Sequence, residues 1–273
     1  MKKLFLLSLL PILAVLFLIA AFFALSFVIS FLRNKANQEF KFTPNDIAIT
    51  FPEGFTKNEI KKRFEENGFF VSLELDKNTS GNLRKKFDFF IGAPSGVINL
   101  EGFLFPDTYR FDKNSSEEEI ISRMLNNFDK KLDLEFREEI KNQNKSVFEI
   151  VTMASLIEEE GKIKTDREII SGILWKRLEV GMPLQIDATI NYITNGKNLK
   201  IPLEETKIKS PYNTYLNKGL PLGPIASPGL ESIEAAVFPE KTEFWYYLSK
   251  PTGEIIFSKT LEEHNIAKVK YLK

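Results

Sequence analysis

Three consecutive glutamates end the apolar stretch TMASLIEEEGK at residues 152–162, and a helix would point them in different directions. With about 100° per residue, the apolar positions of this helix gather on one face: Val147, Ile150, Val151, Ala154 and Ile157. Glu158 lies within about 20° of Val147 and Val151, whereas Glu159 and Glu160 project to the side and the margin of that face. A carboxyl group turned inward is desolvated, which raises its pKa towards neutral pH. Glu158 is therefore a candidate general acid.

The same inward position is also typical of a structural carboxylate. A buried glutamate is commonly paired with an arginine, and Arg167 and Arg177 follow in the next predicted helix. Because structural ion pairs outnumber catalytic acids, the pattern by itself leaves both interpretations open.

The composition argues against several kinds of chemistry. The chain has no cysteine and a single histidine, His264, which we assign to structure, so thiol nucleophiles, disulfides and a dedicated metal site are not predicted. Lys plus Arg (37) equals Asp plus Glu (37), and no arginine-rich stripe is present, so no nucleic-acid partner is predicted. Catalysis would then depend on carboxylates, hydroxyls or amines, without a cofactor.

An uncharged stretch at residues 4–32 is longer than the roughly 20 residues that cross a bilayer. It is too long for the apolar region of a signal peptide, so residues 1–33 are predicted to be a retained membrane anchor, with cleavage near the small residues Ala20, Ala24 and Ser26 as the alternative. Lysines precede the stretch, and Arg33 and Lys35 follow it, so the charges alone leave its orientation open.

Two further segments must position the glutamates. Residues 34–100 are predicted to be a linker and a small mixed α/β module, with a strand at FFVSLELD, residues 69–76. Residues 101–273 are predicted to form an α+β domain with a hairpin whose turn lies at residues 250–253. Capping boxes are predicted to open helices at Thr56–Glu59, Ser116–Glu119, Ser146–Glu149, Thr165–Glu168 and Thr260–Glu263.

Five motifs resemble one known family in order and spacing. They are EGFLFPDTY, TMASLIEEEGK, DREIISGILWKRLEVGMPLQIDATINYI, SPYNTYLNKGLPLGPIASPGLESIEAAVFP and FSKTLEEHN. Together they resemble the MltG (YceG-like) family of endolytic murein transglycosylases over residues 101–273, so the resemblance makes those residues the catalytic domain. In that family the first glutamate after the Ala-Ser-aliphatic-aliphatic run is the catalytic acid, which implies that role for Glu158.

The resemblance also implies a substrate and a location. The substrate would be nascent peptidoglycan, cut at the β-1,4 bond between N-acetylmuramic acid and N-acetylglucosamine to leave a 1,6-anhydromuramoyl end, which limits strand length. The protein would span the inner membrane once, with a cytoplasmic N-terminus, an extracytoplasmic catalytic domain, and glycan polymerases and transpeptidases as neighbours. Residues 34–100 would be a reduced LysM-like module, in which Glu53 and Gly54 are assigned to a turn.

Two residues of the LQIDATI motif are candidates for orienting the substrate. Gln185 and Asp187 would position the sugar or Glu158. Asp187 is alternatively the second carboxylate that ordinary glycosidases use.

The loop SPYNTY supplies further candidates for sugar binding. Tyr212 and Asn213 could hydrogen-bond acetamido groups, although Asn213 is equally well interpreted as a turn residue that caps its own backbone. The aromatic residues that could stack on sugar rings, or instead pack in the core, are Tyr215, Trp175 and Trp245.

Two functions of other classes compete with this one. A non-catalytic glycan-binding scaffold of the cell-wall elongation machinery would keep its activity after Glu158→Gln. An aminodeoxychorismate-lyase-like enzyme would need a pyridoxal-phosphate lysine in a soluble protein, and the uncharged stretch at residues 4–32 argues against it.

Overall fold

The computed structural model describes residues 45–96, 98–198 and 200–272, in which helices predominate over two strand pairs. The helices are α1 (Lys57–Glu66), α2 (Lys77–Lys86), α3 (Glu117–Lys131), α4 (Leu134–Asn142), α5 (Val147–Glu160), α6 (Lys164–Glu179), α7 (Asp187–Thr194), α8 (Leu230–Val237) and α9 (Leu261–Tyr271). The strands are β1 (Asp46–Thr50), β2 (Thr108–Asp112), β3 (Tyr246–Ser249) and β4 (Ile255–Ser258). β1 pairs with β2 and β3 with β4, which confirms the α+β class.

Capping residues begin four helices where the sequence predicts them. The hydroxyls of Thr56, Ser116 and Ser146 each accept a hydrogen bond from the backbone N–H of the glutamate three residues on, and each glutamate bonds back to the capping residue. Thr260 caps α9 by accepting from the N–H of Glu263. Each cap satisfies a backbone donor that the first turn of a helix leaves free.

The capping box predicted at Thr165 is wrong. Helix α6 begins earlier, at Lys164, and the capping position is occupied by Ile163, which makes no side-chain cap. The N–H of Arg167 donates to the carbonyl of Ile163 at 3.1 Å, so the first turn is already formed before Thr165 could start it.

Helix α5 is the centre of the fold. Residues 150–157 are all buried, and the helix packs against α4, α6, α7 and α8. The hydroxyl of Ser155 accepts a hydrogen bond from the N–H of Ile225 at 3.1 Å, which holds the loop before α8 against this helix. A helix that is buried on every side can place charged groups only at its ends. Its glutamates accordingly lie at the two ends, with Glu149 in the first turn and residues 158–160 in the last.

Phenylalanine rings join the segment before residue 101 to the rest of the chain. Phe64 of α1 lies 5.4 Å from Phe111 of β2 between ring centroids. Phe89 lies 5.6 Å from Phe103. Residues Ile47–Lys273 accordingly form one compact unit. The division predicted at residue 100 stays a prediction.

The strand predicted at residues 69–76 is wrong, although the alternation of its side chains is real. Leu73 is buried and Phe70 is exposed, yet the segment forms no strand, and the φ of Leu73 is +56°, in the left-handed region. The backbone N–H groups of Ser72 and Leu73 donate instead to the carboxylate of Glu117, at 3.1 and 2.7 Å. A side-chain acceptor thus takes the place of a strand partner.

No helix within residues 45–96, 98–198 and 200–272 is long and apolar enough to span a bilayer. The anchor predicted at residues 1–33, with its uncharged stretch at 4–32, lies outside the described residues. The predicted localisation is corrected on this finding: a single-pass inner-membrane protein with a cytoplasmic N-terminus and an extracytoplasmic catalytic domain is not supported.

The C-terminal hairpin forms as predicted. Tyr246 of β3 lies opposite Ser258 of β4 in an antiparallel pair, and the N–H of Gly253 donates to the carbonyl of Lys250 at 2.8 Å in the turn. Helix α9 packs against both strands, and the ring of His264 stacks on Tyr246 with 5.2 Å between centroids.

Glu101 is a buried carboxyl group that joins α1 to α7. Its Oε1 accepts from the N–H of Lys57, the first residue of α1, at 2.8 Å, and its Oε2 accepts from the hydroxyl of Tyr192 at 3.2 Å. Burial raises the pKa of Glu101 to about 7, despite these two hydrogen bonds.

We expect Ser146→Ala to lower the free energy of unfolding by about 1 kcal/mol, because the first turn of α5 loses its capping acceptor. Chemical denaturation of the two proteins measures the difference, and Ser146→Thr, which keeps a hydroxyl, is the control. Equal stability of Ser146→Ala and the wild type would mean that tertiary contacts alone hold the start of α5.

We expect Glu101→Gln to change how stability depends on pH. The pKa of Glu101 is raised from 4.5 to about 7, so its contribution to stability is complete below pH 4.5 and is lost as the pH rises through 7. The neutral glutamine should match the wild type near pH 4 and exceed it by roughly 3 kcal/mol at pH 8. Urea unfolding across this range tests the prediction, and a stability difference that does not vary with pH would contradict it.

Candidate active site

Glu158 lies in the last turn of α5 with only 7% of its side chain exposed, so the inward orientation predicted from the helical wheel is confirmed. Its Oε1 accepts a hydrogen bond from Nη2 of Arg167 at 3.1 Å. Its Oε2 accepts from the backbone N–H of Gly229, the capping residue of α8, at 2.9 Å. Three helices therefore meet at this one carboxyl group.

Arg167 is the partner of Glu158, and Arg177 is not. The Nε of Arg167 donates to the carbonyl of Gly161 at 3.1 Å, and its Nη1 binds the carboxylate of Glu231 at 2.5 Å. Arg177 instead donates to backbone carbonyls away from this group, including that of Leu184 at 2.8 Å. The ion pair that the sequence left as an alternative for Glu158 is thus present.

Glu53 is a member of this group that the sequence did not indicate. Its Oε2 lies 4.0 Å from Nη2 of Arg167, the same nitrogen that binds Glu158. The turn that carries it is held in place by the N–H of Gly54, which donates to the carbonyl of Ser227 at 2.9 Å. Burial raises the pKa of Glu53, and the negative charge of Glu158 raises it further. The sequence Pro-Glu-Gly indicates only a turn, so no local signal could have found this residue.

The other two glutamates of the run have different surroundings. Glu160 is partly buried, and burial together with the charge of Asp187 raises its pKa to about 7, while a hydrogen bond from Tyr247 lowers it. Glu159 is exposed as a whole residue, but its Oε1 lies 3.1 Å from the position that a Cβ on Gly54 would take, and burial together with the charge of Glu158 raises its pKa to about 7. The three carboxyl groups are therefore not equivalent.

Asp187 and Tyr215 are brought together, as a shared substrate-binding role would require. The hydroxyl of Tyr215 donates to Oδ1 of Asp187, the exposed first residue of α7. Gln185 is exposed and adopts a φ of +56°, with its N–H donating to the carbonyl of Thr214 at 3.1 Å. The charge of Asp187 acts on Glu160, which makes this pair a neighbour of the last turn of α5.

Tyr212 and Asn213 are adjacent in sequence but differ in exposure. Asn213 is fully buried, its Nδ2 donates to the carbonyls of Thr206 and Ile208 at 3.0 and 2.7 Å, and its Oδ1 accepts from the N–H of Tyr215 at 2.9 Å. This geometry matches the turn-residue interpretation of Asn213. Tyr212 is partly buried, and its ring lies 5.0 Å from that of Tyr192.

Both tryptophans are covered by lysines. The indole N–H of Trp175 donates to the carbonyl of Ala236 at 2.9 Å, and Nζ of Lys145 lies 3.8 Å from the ring centroid. Nζ of Lys176 lies 4.2 Å from the ring centroid of Trp245. These contacts favour the packing interpretation over stacking on a sugar.

The group Glu53, Glu158, Arg167 and Glu231 is suited to proton transfer. At Glu53, burial and the negative charges of Glu158 and Glu231 raise the pKa, whereas the guanidinium of Arg167 lowers it. Within the described part of the chain, no group of three or more His, Asp or Glu side chains is arranged to hold a metal ion.

Three characterised relatives are similar to most of this chain. An endolytic murein transglycosylase of Bacillus subtilis is 43% identical over 82% of the chain, and that match covers 65% of the relative. Endolytic murein transglycosylases from two Streptococcus pneumoniae strains are 33% and 32% identical over 80% of the chain. The chain spans 43% of the length of each pneumococcal protein.

A solved structure and a family profile agree with these similarities. The crystal structure of a YceG-like protein from Listeria monocytogenes has a TM-score of 0.73 and 33% identity, and it matches 82% of this chain and 76% of its own. The profile of the YceG-like family matches residues 24–270. The chain belongs to the YceG-like family.

Proposed function

We propose that this protein is an endolytic peptidoglycan lytic transglycosylase, which cuts the β-1,4 bond between N-acetylmuramic acid and N-acetylglucosamine and leaves 1,6-anhydromuramoyl ends. The observation that carries the proposal is the nearly enclosed carboxyl group of Glu158, held between Arg167 and the N–H of Gly229. Relatives that are named endolytic murein transglycosylases, and are 32–43% identical, support it.

One carboxyl group is sufficient for this reaction. Protonated Glu158 donates its proton to the glycosidic oxygen as the bond to C1 of the muramoyl sugar breaks. The carboxylate that results takes the proton of the muramoyl 6-hydroxyl as that oxygen bonds to C1, so no water is consumed and Glu158 is protonated again. Between the two steps, Arg167 and the N–H of Gly229 stabilise the carboxylate.

Binding of the sugar chain is assigned to residues near the last turn of α5. Asp187, supported by the hydroxyl of Tyr215, is proposed to orient the muramoyl sugar, with Gln185 beside it. Tyr212 is the polar group of the SPYNTY loop that is proposed to bond an acetamido group. The amide of Asn213 is used within its own loop, so we assign it to holding that loop in shape.

The segment before residue 101 is proposed to be a reduced LysM-like module, and residues 101–273 the catalytic domain. The support is the resemblance of the motifs, together with the two helices, α1 and α2, in the first segment. The enzymes that polymerise and crosslink glycan strands are the expected partners, because they make the strands that this protein would cut.

We expect Glu158→Gln to reduce turnover of uncrosslinked nascent glycan strands by about 10³-fold, because the amide can neither donate nor take up the proton. Mass spectrometry of the products measures this: ends lighter by one water than a hydrolysed muramic acid should form with the wild type and not with the variant. Glu138→Gln, an exposed glutamate on α4, is the matched control and should keep activity. Anhydro ends formed at the wild-type rate by Glu158→Gln would contradict the proposal, and strands bound but left intact by both proteins would favour the scaffold alternative.

We expect Asp187→Asn to lower kcat/KM by about tenfold while the products keep their anhydro ends, because a charged hydrogen bond to Tyr215 is weakened without loss of the proton donor. The same mass spectrometry distinguishes the alternative. Complete loss of turnover, with reducing ends from the wild type, would mean a hydrolase in which Asp187 is the second carboxylate.

A further inference from the structure

The carboxylate of Glu53 lies near the same guanidinium nitrogen that binds Glu158, the candidate catalytic acid. Nη2 of Arg167 lies 3.1 Å from Oε1 of Glu158 and 4.0 Å from Oε2 of Glu53. Glu231 binds the other terminal nitrogen, Nη1. Two carboxylates therefore share one terminal nitrogen of Arg167, while the third binds the other terminal nitrogen.

Gly229 links Glu53 and Glu158 a second time. Its N–H donates to Oε2 of Glu158 at 2.9 Å. A Cβ at this position would lie 2.0 Å from Oε1 and 2.1 Å from Cδ of Glu53, so the carboxyl group of Glu53 occupies the space that a side chain would need. The residue that holds Glu158 is therefore also the residue against which Glu53 rests.

The charges around Glu53 come from every element packed against it. Glu158 acts on it from α5, Arg167 from α6 and Glu231 from α8, and Oε1 of Glu159 packs against the adjoining Gly54. Three carboxylates around one guanidinium leave an excess of negative charge. Like charges disfavour each other's ionised forms. An ionised carboxylate therefore favours protonation of its neighbour, and once one carboxyl group is protonated the next one binds a proton less readily.

We propose that Glu53 is a positioning residue for the reaction of Glu158: its negative charge beside Arg167 and Gly229 keeps Glu158 able to hold the proton that it donates. This inference rests on the function proposed above. Glu53 has 50% of its side chain exposed while Glu158 has 7%, so Glu53 supplies charge from the solvent side without itself reaching the enclosed carboxyl position. The turn after β1 would then contribute to the active site rather than only to the fold.

The test uses the full-length chain and the pH dependence of kcat/KM for anhydro-end formation. Glu53→Gln removes a negative charge near Glu158, and Nη2 of Arg167 then has Glu158 as its one carboxylate neighbour in the described part of the chain. Both changes favour the carboxylate form of Glu158 over its protonated form. We expect the falling alkaline limb to move to lower pH by about half a unit, which is about a threefold loss of kcat/KM at a pH on that limb. Glu53→Asp keeps the charge and should show a smaller shift than Glu53→Gln. Glu65→Gln removes an exposed charge on α1 and should leave the alkaline limb where it is in the wild type.

Gly229→Ala provides an independent variant in which Glu53 is displaced but not removed. The φ of Gly229 is −73°, which any residue adopts, and alanine keeps the N–H that binds Glu158. Its Cβ would push the carboxyl group of Glu53 away, so this variant should shift the pH profile in the same direction as Glu53→Gln. A lower kcat at every pH with an unmoved limb, in both variants, would show a structural role and overturn the inference.

A second readout does not need turnover. The titration midpoint of the Glu158 carboxyl carbon in ¹³C NMR reports directly whether the charge of Glu53 favours the protonated form of Glu158. Removal of that charge in Glu53→Gln should lower this midpoint by about half a unit, as it moves the alkaline limb. An unchanged midpoint would overturn the inference even if Glu158 proved essential. A lowered midpoint with wild-type turnover by Glu158→Gln would instead overturn the proposed function and leave the coupling established.

Discussion

The ion pair between Arg167 and Glu158 is the contact on which the rest of the site depends. Both side chains are almost fully enclosed, with 8% and 7% exposed, so each charge needs the other as a partner. Removal of one member of a buried pair costs about 3–5 kcal/mol, because the remaining charge is left without compensation. Since Arg167 also binds the carbonyl of Gly161 and the carboxylate of Glu231, this one guanidinium joins the end of α5 to the starts of α6 and α8.

The loop before α8, which supplies a hydrogen-bond donor to Glu158, packs closely against other parts of the backbone. Gly102, in the EGFLFPDTY motif, has a φ of +83°, and a Cβ there would lie 2.4 Å from the side chain of Pro224. The loop that carries Pro224 is held on α5 by the hydrogen bond between Ser155 and Ile225. The same loop continues to Gly229, whose N–H binds Glu158. Tight packing at one end of the loop thus positions a hydrogen-bond donor at the other.

The concentration of carboxyl groups near the last turn of α5 is costly for stability and useful for proton transfer. Burial raises the pKa of both Glu159 and Glu160 to about 7, and the pKa of Glu53 is shifted in the same direction. Groups with raised pKa values concentrate at functional sites because burial and like charges are tolerated there for the sake of chemistry. Elsewhere the fold depends on apolar packing, above all among its phenylalanine rings.

The sequence by itself determined the features that depend on neighbouring residues. The starts of α1, α3, α5 and α9 follow from capping hydroxyls three residues before a glutamate, and the inward orientation of Glu158 follows from helical periodicity. The turn of the C-terminal hairpin likewise follows from local residue types. These contacts span at most about one helical turn, so the order of residues already encodes them.

Only the tertiary structure decided which distant residues meet. It brought Glu53 to Arg167, and it selected Arg167 rather than Arg177 as the partner of Glu158. It also supplied the carboxylate of Glu117 where residues 69–76 would otherwise have needed a strand partner. Such contacts join segments far apart in the chain, and their formation depends on the packing of the whole core, which no local pattern records.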